Sequence, residues 1–292
     1  MPRIGLVNDI WSIGTDHVVR IPTEVEYGYT ILAEAVAIPY AQSLGLSVPE
    51  IVMMDNDLDI VPVPFSVACR IHAETLGNMS GCLTWELFGS KWANVSCQLG
   101  QQLALLHQPL DTIIDPNGWL NSWWLDNPTE ELVNCVDSGF VTGSEAKWVE
   151  SFIERLSHAF SYDPLGPCDS GVFVHHDLHP WNIMVSQKDE PELAAIIDWG
   201  NACWGDPAVD FTGFPLWALP AMVDAYRKSG GTTDGGFEGR VLWMWLATAL
   251  REPSFLDQKV YSRTWWRMPE DGIKELQFRL FLLPDQWRQW AV

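Results

Sequence analysis

The chain has 292 residues and is 47% hydrophobic, enough to bury one large core or two modest ones and too apolar for a disordered segment. Its formal charge of −21 argues against a nucleic-acid backbone or an anionic membrane as the main partner, because both demand basic patches. The same charge suits a cationic small molecule, which an acidic cleft would concentrate, although solubility alone accounts for it equally well.

No run of about 18 uncharged apolar residues is present, so no membrane helix is expected. The opening MPRIGLVNDIW lacks an apolar h-region, and a cytoplasmic location is the expectation. Six cysteines (Cys69, Cys82, Cys97, Cys135, Cys168 and Cys203) are scattered without a CxxC pair, which favours free thiols over a disulfide framework or a cysteine zinc site.

In chain order, residues 5–22 read as a short β-region. Gly5 and Asn8-Asp9 form turns there, and the alternating run His17 to Ile21 is ended by Pro22. Residues 25–44 carry near-helical spacing at Ile31, Leu32, Ala35, Val36 and Ile38, with Pro39 expected to kink or shorten the helix. Strands follow at 51–54, with a turn at 55–59, and at 65–71 after Pro62 and Pro64. These elements make a small sheet-bearing lobe over residues 1–70, with the hinge near 68–73, and leave 71–292 as a larger lobe.

Helices are expected over 92–107, with Val95, Leu99, Leu103 and Leu106 on one face, and over 144–158, 218–228 and 238–251. The glycine pairs 230–231 and 235–236 mark the loop between the last two. The stretch 126–137, with Asp126, Glu130, Glu131 and Asp137, reads as an acidic loop. With Glu270 and Asp271 it either lines a cation-accepting cleft or forms a solvated face.

The informative stretch runs from Val172 to Val185, VFVHHDLHPWNIMV. Two apolar runs flank a polar loop, so a hairpin-like arrangement would present Asp177 and Asn182 together, and the strand 195–197 would deliver Asp198 at its end. Phosphoryl transfer needs such a set: a carboxylate to take the proton of an attacking hydroxyl, and an amide oxygen with a second carboxylate to hold magnesium against phosphates.

These residues resemble the aminoglycoside phosphotransferase family, the small-molecule branch of the protein-kinase-like fold. The resemblance rests on His175-x-Asp177-Leu178-His179-Pro180-x-Asn182, on Ile197-Asp198-Trp199-Gly200 and on Gly205-Asp206-Pro207-Ala208-Val209-Asp210-Phe211. Less specific matches lie at Val19-Arg20-Ile21-Pro22, Glu34, Val48-Pro49 and Leu105-Leu106-His107.

The resemblance implies an α+β, two-lobed fold with a small β-sheet lobe and a mainly helical larger lobe. It implies Asp177 as catalytic base, Asn182 and Asp198 as magnesium ligands, and ATP or GTP as co-substrate. It also implies that Arg20, paired with Glu34, grips the phosphates. Asn8 would belong to the nucleotide-covering loop, and Cys69 and Ile71 to a hinge (67–71) that receives the base. Asp210, His175 and His179 would brace the catalytic loop. The acceptor would be a hydroxyl on a small, amine-bearing antibiotic, sugar or metabolite.

Three departures from the family pattern stand out. Arg20 replaces the lysine of protein kinases, keeping the charge but offering a two-pronged fork. His176 stands where the family usually has glycine, and Trp181 where it often has a small residue, so both add bulk beside the catalytic loop.

Trp123 and Trp124 sit beside Asp126, a combination able to hold an amine by cation–π contact; with Trp181 they are the acceptor-side candidates. Most other tryptophans read as core. Two other readings compete with a kinase. The bulk could occlude the cleft and leave a catalytically silent binding protein. Alternatively, the run His175-His176-Asp177-Leu178-His179 could serve a binuclear metallohydrolase, which needs further His and Asp ligands from distant segments.

Overall fold

The computed structural model describes residues 7–79, 93–108, 115–166, 171–251 and 269–291. Gly5, Cys82, Cys168, Trp85, Trp92, Trp265, Trp266 and the side chains of Glu270 and Asp271 lie outside the described residues.

The small lobe is a four-stranded antiparallel sheet built from β1 (Asn8–Ile13), β2 (His17–Pro22), β3 (Ile51–Asp55) and β4 (Phe65–Cys69), in the order β1-β2-β4-β3. Asn8-Asp9, expected in a turn, instead begins β1, and the tight connection falls at Gly14, whose φ of +61° a residue with a side chain adopts only with strain. Pairing sets Arg20 opposite Ile10 on one side and Ser66 on the other, fixing it at the sheet centre.

A helix, α1 (Gly28–Ser43), packs against the sheet and buries Ile31, Ala33, Ala37, Ile38 and Ala41, the last three within the core cluster shared with the larger lobe. Pro39 does not shorten it; the helix runs on to Ser43 although this residue supplies no backbone donor.

The larger lobe is mainly helical. Its helices are α2 (Ala93–Leu106), α3 (Pro128–Asp137), α4 (Gly143–Ser157), α5 (Leu219–Lys228), α6 (Phe237–Arg251), α7 (Pro269–Arg279) and α8 (Asp285–Arg288). The pair α2 and α5 meet at Gly100, where an added Cβ would lie 2.2 Å from the Met222 carbonyl oxygen; only glycine allows that approach. Helix α6 is buried along almost its whole length, and Trp245 and Trp287 are enclosed in the core, as expected for most of the tryptophans.

The stretch expected as an acidic loop is largely helix α3. Asn127 caps it by accepting from the Thr129 amide at 3.0 Å, Pro128 occupies the first turn, and Glu130 and Glu131 face the positive end of the helix dipole. Such a cap contributes about 1 kcal/mol. Leu132 and Cys135 point into the core. Among the described residues no helix is long and apolar enough to cross a membrane.

Five short strands carry the candidate site. β5 (Glu74–Thr75), β7 (Ile183–Val185) and β8 (Leu193–Ile196) form one sheet, ordered β5-β7-β8, while β6 (Val172–Val174) pairs with β9 (Cys203–Gly205). The two apolar runs flanking the polar loop are therefore not partners in a hairpin. Each finds a different strand, so the loop 175–182 bridges two small sheets.

Candidate active site

The loop between β6 and β7 is fixed from beneath by Asp210, which is completely buried. Its carboxylate accepts the backbone N–H of His175 at 2.9 Å and of His176 at 2.8 Å. His107 lies 3.1 Å away through Nε2, and its Nδ1 is 3.3 Å from the Tyr226 hydroxyl. Burial pushes the Asp210 pKa up, but His107, His175 and these donors outweigh it and hold the carboxyl below its ordinary value. An aspartate stripped of them would be a costly buried charge. His107 stood in the sequence only within the less specific match Leu105-Leu106-His107, with no role attached, and Tyr226 was not singled out; the available signal was a histidine continuing the buried stripe of α2 beyond Leu99, Leu103 and Leu106.

The rest of the loop follows from side-chain turns. His175 Nδ1 accepts the Asp177 N–H at 3.2 Å, which leaves Nε2 protonated to donate to the Ile197 carbonyl at 3.0 Å. His179 Nδ1 accepts from the Trp181 N–H at 3.2 Å, and its Nε2 lies 3.7 Å from Asp177 Oδ1. The Asn182 amide nitrogen donates to the Asp177 carbonyl at 2.8 Å and to Asp177 Oδ2 at 3.3 Å. Its Oδ1 is thereby the amide atom available to a cation. The Ile197 N–H donates to the Asn182 carbonyl at 2.9 Å, which brings Asp198 alongside.

Asp198 has φ +67°, a left-handed conformation that costs a non-glycine residue roughly 1 kcal/mol and marks a position held for a purpose. Its Oδ1 is 2.7 Å from Arg20 Nη2, while Arg20 Nη1 is 2.8 Å from Glu34 Oε1. Glu34 is 1% exposed and Asp198 39% exposed, so one carboxylate is fully sunk in the protein and the other only partly open to solvent. Burial raises the Glu34 pKa despite Arg20. Burial also opposes ionisation of Asp198, but the charge and hydrogen bond of Arg20 hold it below its ordinary value. Arg20 Nε is buried without a hydrogen-bond partner.

The donor set of Asn182 Oδ1 and the Asp198 carboxylate is all hard oxygen and leaves most coordination positions to water or phosphate, which fits magnesium. The described residues give the metallohydrolase reading no support. The rings of His175, His176 and His179 are held at three separate sets of partners, and among the described residues no group of three or more His, Cys, Asp and Glu is arranged to hold a metal ion.

Other expected residues fall elsewhere. Asn8 lies in the sheet, not on a covering loop. Its amide is buried against Thr30 of α1 at 3.3 Å, so it braces sheet to helix. Cys69 ends β4 with its N–H bonded to the Glu50 carbonyl at 2.8 Å, and the Arg70 N–H goes to Asp16 O at 2.8 Å. Ile71 lies just beyond them, in the coil leading to β5.

His176 has φ +66° and packs into Trp123, stacked at 5.3 Å between ring centroids, and Trp124, edge-on at 4.4 Å. Burial lowers its pKa. Trp124 and Asp126 do not form a vacant amine seat: Arg251 lies 5.9 Å over the Trp124 ring and 2.6 Å from Asp126 Oδ2. Trp181 leans on Gly77, where an added Cβ would sit 2.4 Å from indole Cδ2.

A four-stranded small lobe, a helical large lobe and this carboxylate–amide–carboxylate set, joined by the contacts of Asn182 and Arg20, correspond to the protein-kinase-like fold of small-molecule phosphotransferases. A sequence profile described as APH, phosphotransferase enzyme family, matches residues 3–241, and the chain belongs to that family. None of the curated proteins matches it.

Solved structures with the same fold include aminoglycoside 2'-phosphotransferase-IIIa in complex with GDP. It is 16% identical, with a TM-score of 0.61 over 94% of this chain and 89% of that one. Another is macrolide 2'-phosphotransferase MphH from Brachybacterium faecium, 19% identical, with a TM-score of 0.56 over 94% and 90%. A third is spectinomycin phosphotransferase with ADP and spectinomycin, 14% identical, with a TM-score of 0.54 over 100% and 90%.

Proposed function

We propose that the chain is a small-molecule kinase that moves the terminal phosphate of ATP or GTP to an alcohol. The acceptor hydroxyl gives its proton to the Asp177 carboxylate as its oxygen bonds to the terminal phosphorus, and the bond to the nucleoside diphosphate breaks. Asn182 Oδ1 and the Asp198 carboxylate would hold magnesium, which when bound neutralises charge on the phosphates. Arg20 aligns those phosphates, and Glu34 keeps the guanidinium in place. The hinge offers backbone groups near Cys69 and Ile71 to the base; because the Cys69 N–H is already bonded, Ile71 is the better donor. We place the division between the lobes at residues 70–71.

The observation that carries this reading is the contact of Asn182 with Asp177 through its amide, while its own carbonyl binds the segment bearing Asp198. The nucleotides bound by the related structures support a nucleotide donor. Against a silent binding protein stands the direction of the two bulky residues: His176 is turned into the tryptophans and Trp181 onto Gly77.

The net charge of −21 and the antibiotics held by related structures support an amine-bearing acceptor, an antibiotic or a metabolite. Arg251 fills the Trp124–Asp126 seat, so the amine is read by other acidic groups.

The test is a nucleotide-consumption screen against aminoalcohols and antibiotics. Asp177→Asn is expected to lower acceptor-dependent turnover by about 100- to 10,000-fold while nucleotide still binds. Equal turnover in both proteins would remove Asp177 as the base.

A further inference from the structure

Trp181 entered as a candidate for the acceptor side of the cleft, and the geometry points to the opposite side: we propose that its indole is a wall of the donor-nucleoside site. Three observations carry this. First, the turn Leu76–Asn78 that contacts Trp181 lies only a few residues beyond the hinge, and β5 just before it pairs with β7 just after Asn182. Hinge exit and catalytic loop are thus stitched side by side, and Trp181 lies in the seam.

Second, an added Cβ at Gly77 would meet indole Cδ2, Cε2 and Cγ at 2.4, 2.5 and 2.7 Å. Those three atoms surround the centre of the indole, so the glycine backbone lies against the ring's face rather than its edge. Trp181 is only half-buried, with the His179 ring edge-on to it at 6.1 Å between centroids, and part of its surface remains accessible.

Third, Trp181 immediately precedes Asn182, whose amide faces Asp177. His176, on the other flank of Asp177, is the residue that reaches Trp123 and Trp124. The two bulky departures therefore diverge, one toward the tryptophan pair and one toward the hinge.

A nucleotide lying with its base at the hinge and its phosphates at Arg20 and Asp198 passes its nucleoside portion between these points. An aromatic face there contacts the sugar or base by dispersion and stacking, without reading a particular base. This assignment rests on the kinase reading, and the experiment separates the two.

Trp181→Ala, Trp181→Phe and Gly77→Ala are titrated by calorimetry with magnesium and either ADP, GDP or inorganic tripolyphosphate, which has phosphates but no nucleoside. Gly77→Ala keeps the indole but forces it to move. Trp181→Ala and Gly77→Ala are expected to weaken ADP and GDP about 5- to 30-fold, with Trp181→Phe close to wild type, while tripolyphosphate binding stays unchanged in all three. Equal weakening of nucleotide and tripolyphosphate would mean that Trp181 acts only through Asn182, and the proposal is lost. Unchanged nucleotide binding in Trp181→Ala would likewise overturn it. Wild-type protein that binds neither nucleotide nor tripolyphosphate would refute the kinase reading itself.

Discussion

Two arginines in this molecule each bridge a sunken carboxylate and an exposed one, and they end in different situations. Arg20 spans Glu34 and Asp198 at 2.8 and 2.7 Å. Arg240 spans Asp206 and Asp234 at 2.6 and 2.8 Å, with side-chain exposures of 4% and 63% for the two carboxylates. Around Arg240 the network closes on itself. Asp206 also accepts from the Tyr162 hydroxyl at 2.6 Å and the Ala208 N–H at 2.8 Å, and Arg240 Nη1 reaches the Ala159 carbonyl at 3.2 Å. Around Arg20 it stays open: Nε is unpartnered, and Asp198 sits in a left-handed conformation at the cleft. The same ionic motif is a closed joint in one place and leaves an unpartnered donor and a left-handed aspartate in the other, the contrast on which the proposed nucleotide site rests.

The sharpest way to break this comparison is to remove each arginine. Arg240→Met leaves Asp206 as an uncompensated buried charge and is expected to destabilise the fold by about 3–5 kcal/mol in urea denaturation. Arg20→Met is expected to cost only about 1–2 kcal/mol, because Glu34 can take up a proton instead, yet to reduce phosphate transfer by about 100-fold or more. Similar stability losses with similar activity would erase the distinction.

A smaller, opposite pair of effects appears with pH. Burial raises the Glu34 pKa above its ordinary 4.5, so the folded state holds that proton more tightly than the unfolded chain. Wild-type stability relative to Glu34→Gln therefore falls as pH rises above 4.5. At Asp234, burial pushes upward, but the hydrogen bond and charge of Arg240 prevail and depress the pKa below 3.8. Its advantage over Asp234→Asn is full above pH 3.8 and disappears as pH falls through the depressed value. Thermal melts of both pairs across pH 3 to 8 check the two signs; parallel slopes would contradict the contrast.

The two networks were also unequally legible in the sequence. Arg20, Glu34 and Asp198 could be named because the family resemblance reaches them, Asp198 within Ile197-Asp198-Trp199-Gly200 and Arg20 and Glu34 through less specific matches. Arg240 and Tyr162 could not, since a buried ion network needs only partners that happen to meet, 34 residues apart for Asp206 and Arg240.

Among the elements, α1 and α2 were readable from apolar spacing. Helix α3 was not, because four acidic residues in 126–137 obscured an Asn-Pro start that signals a helix N-terminus. The expected hairpin at 172–185 failed for a different reason: local alternation shows that a segment is a strand but not which strand it will pair with. Asn8 misled because asparagine favours turns, whereas here its amide finds Thr30. Likewise nothing in Trp123-Trp124-Leu125-Asp126 announces that Arg251 will occupy the ring and the carboxylate.

The surroundings of Asp198 are either the proposed metal–nucleotide site or a second structural joint. Calorimetric titration of ADP and GDP into wild type and Asp198→Asn, each with and without magnesium, tests that directly. The prediction is tighter binding with magnesium in wild type, by about 10-fold or more, and no magnesium effect in the variant. Magnesium-independent binding in wild type, or the same magnesium gain in both proteins, would contradict it.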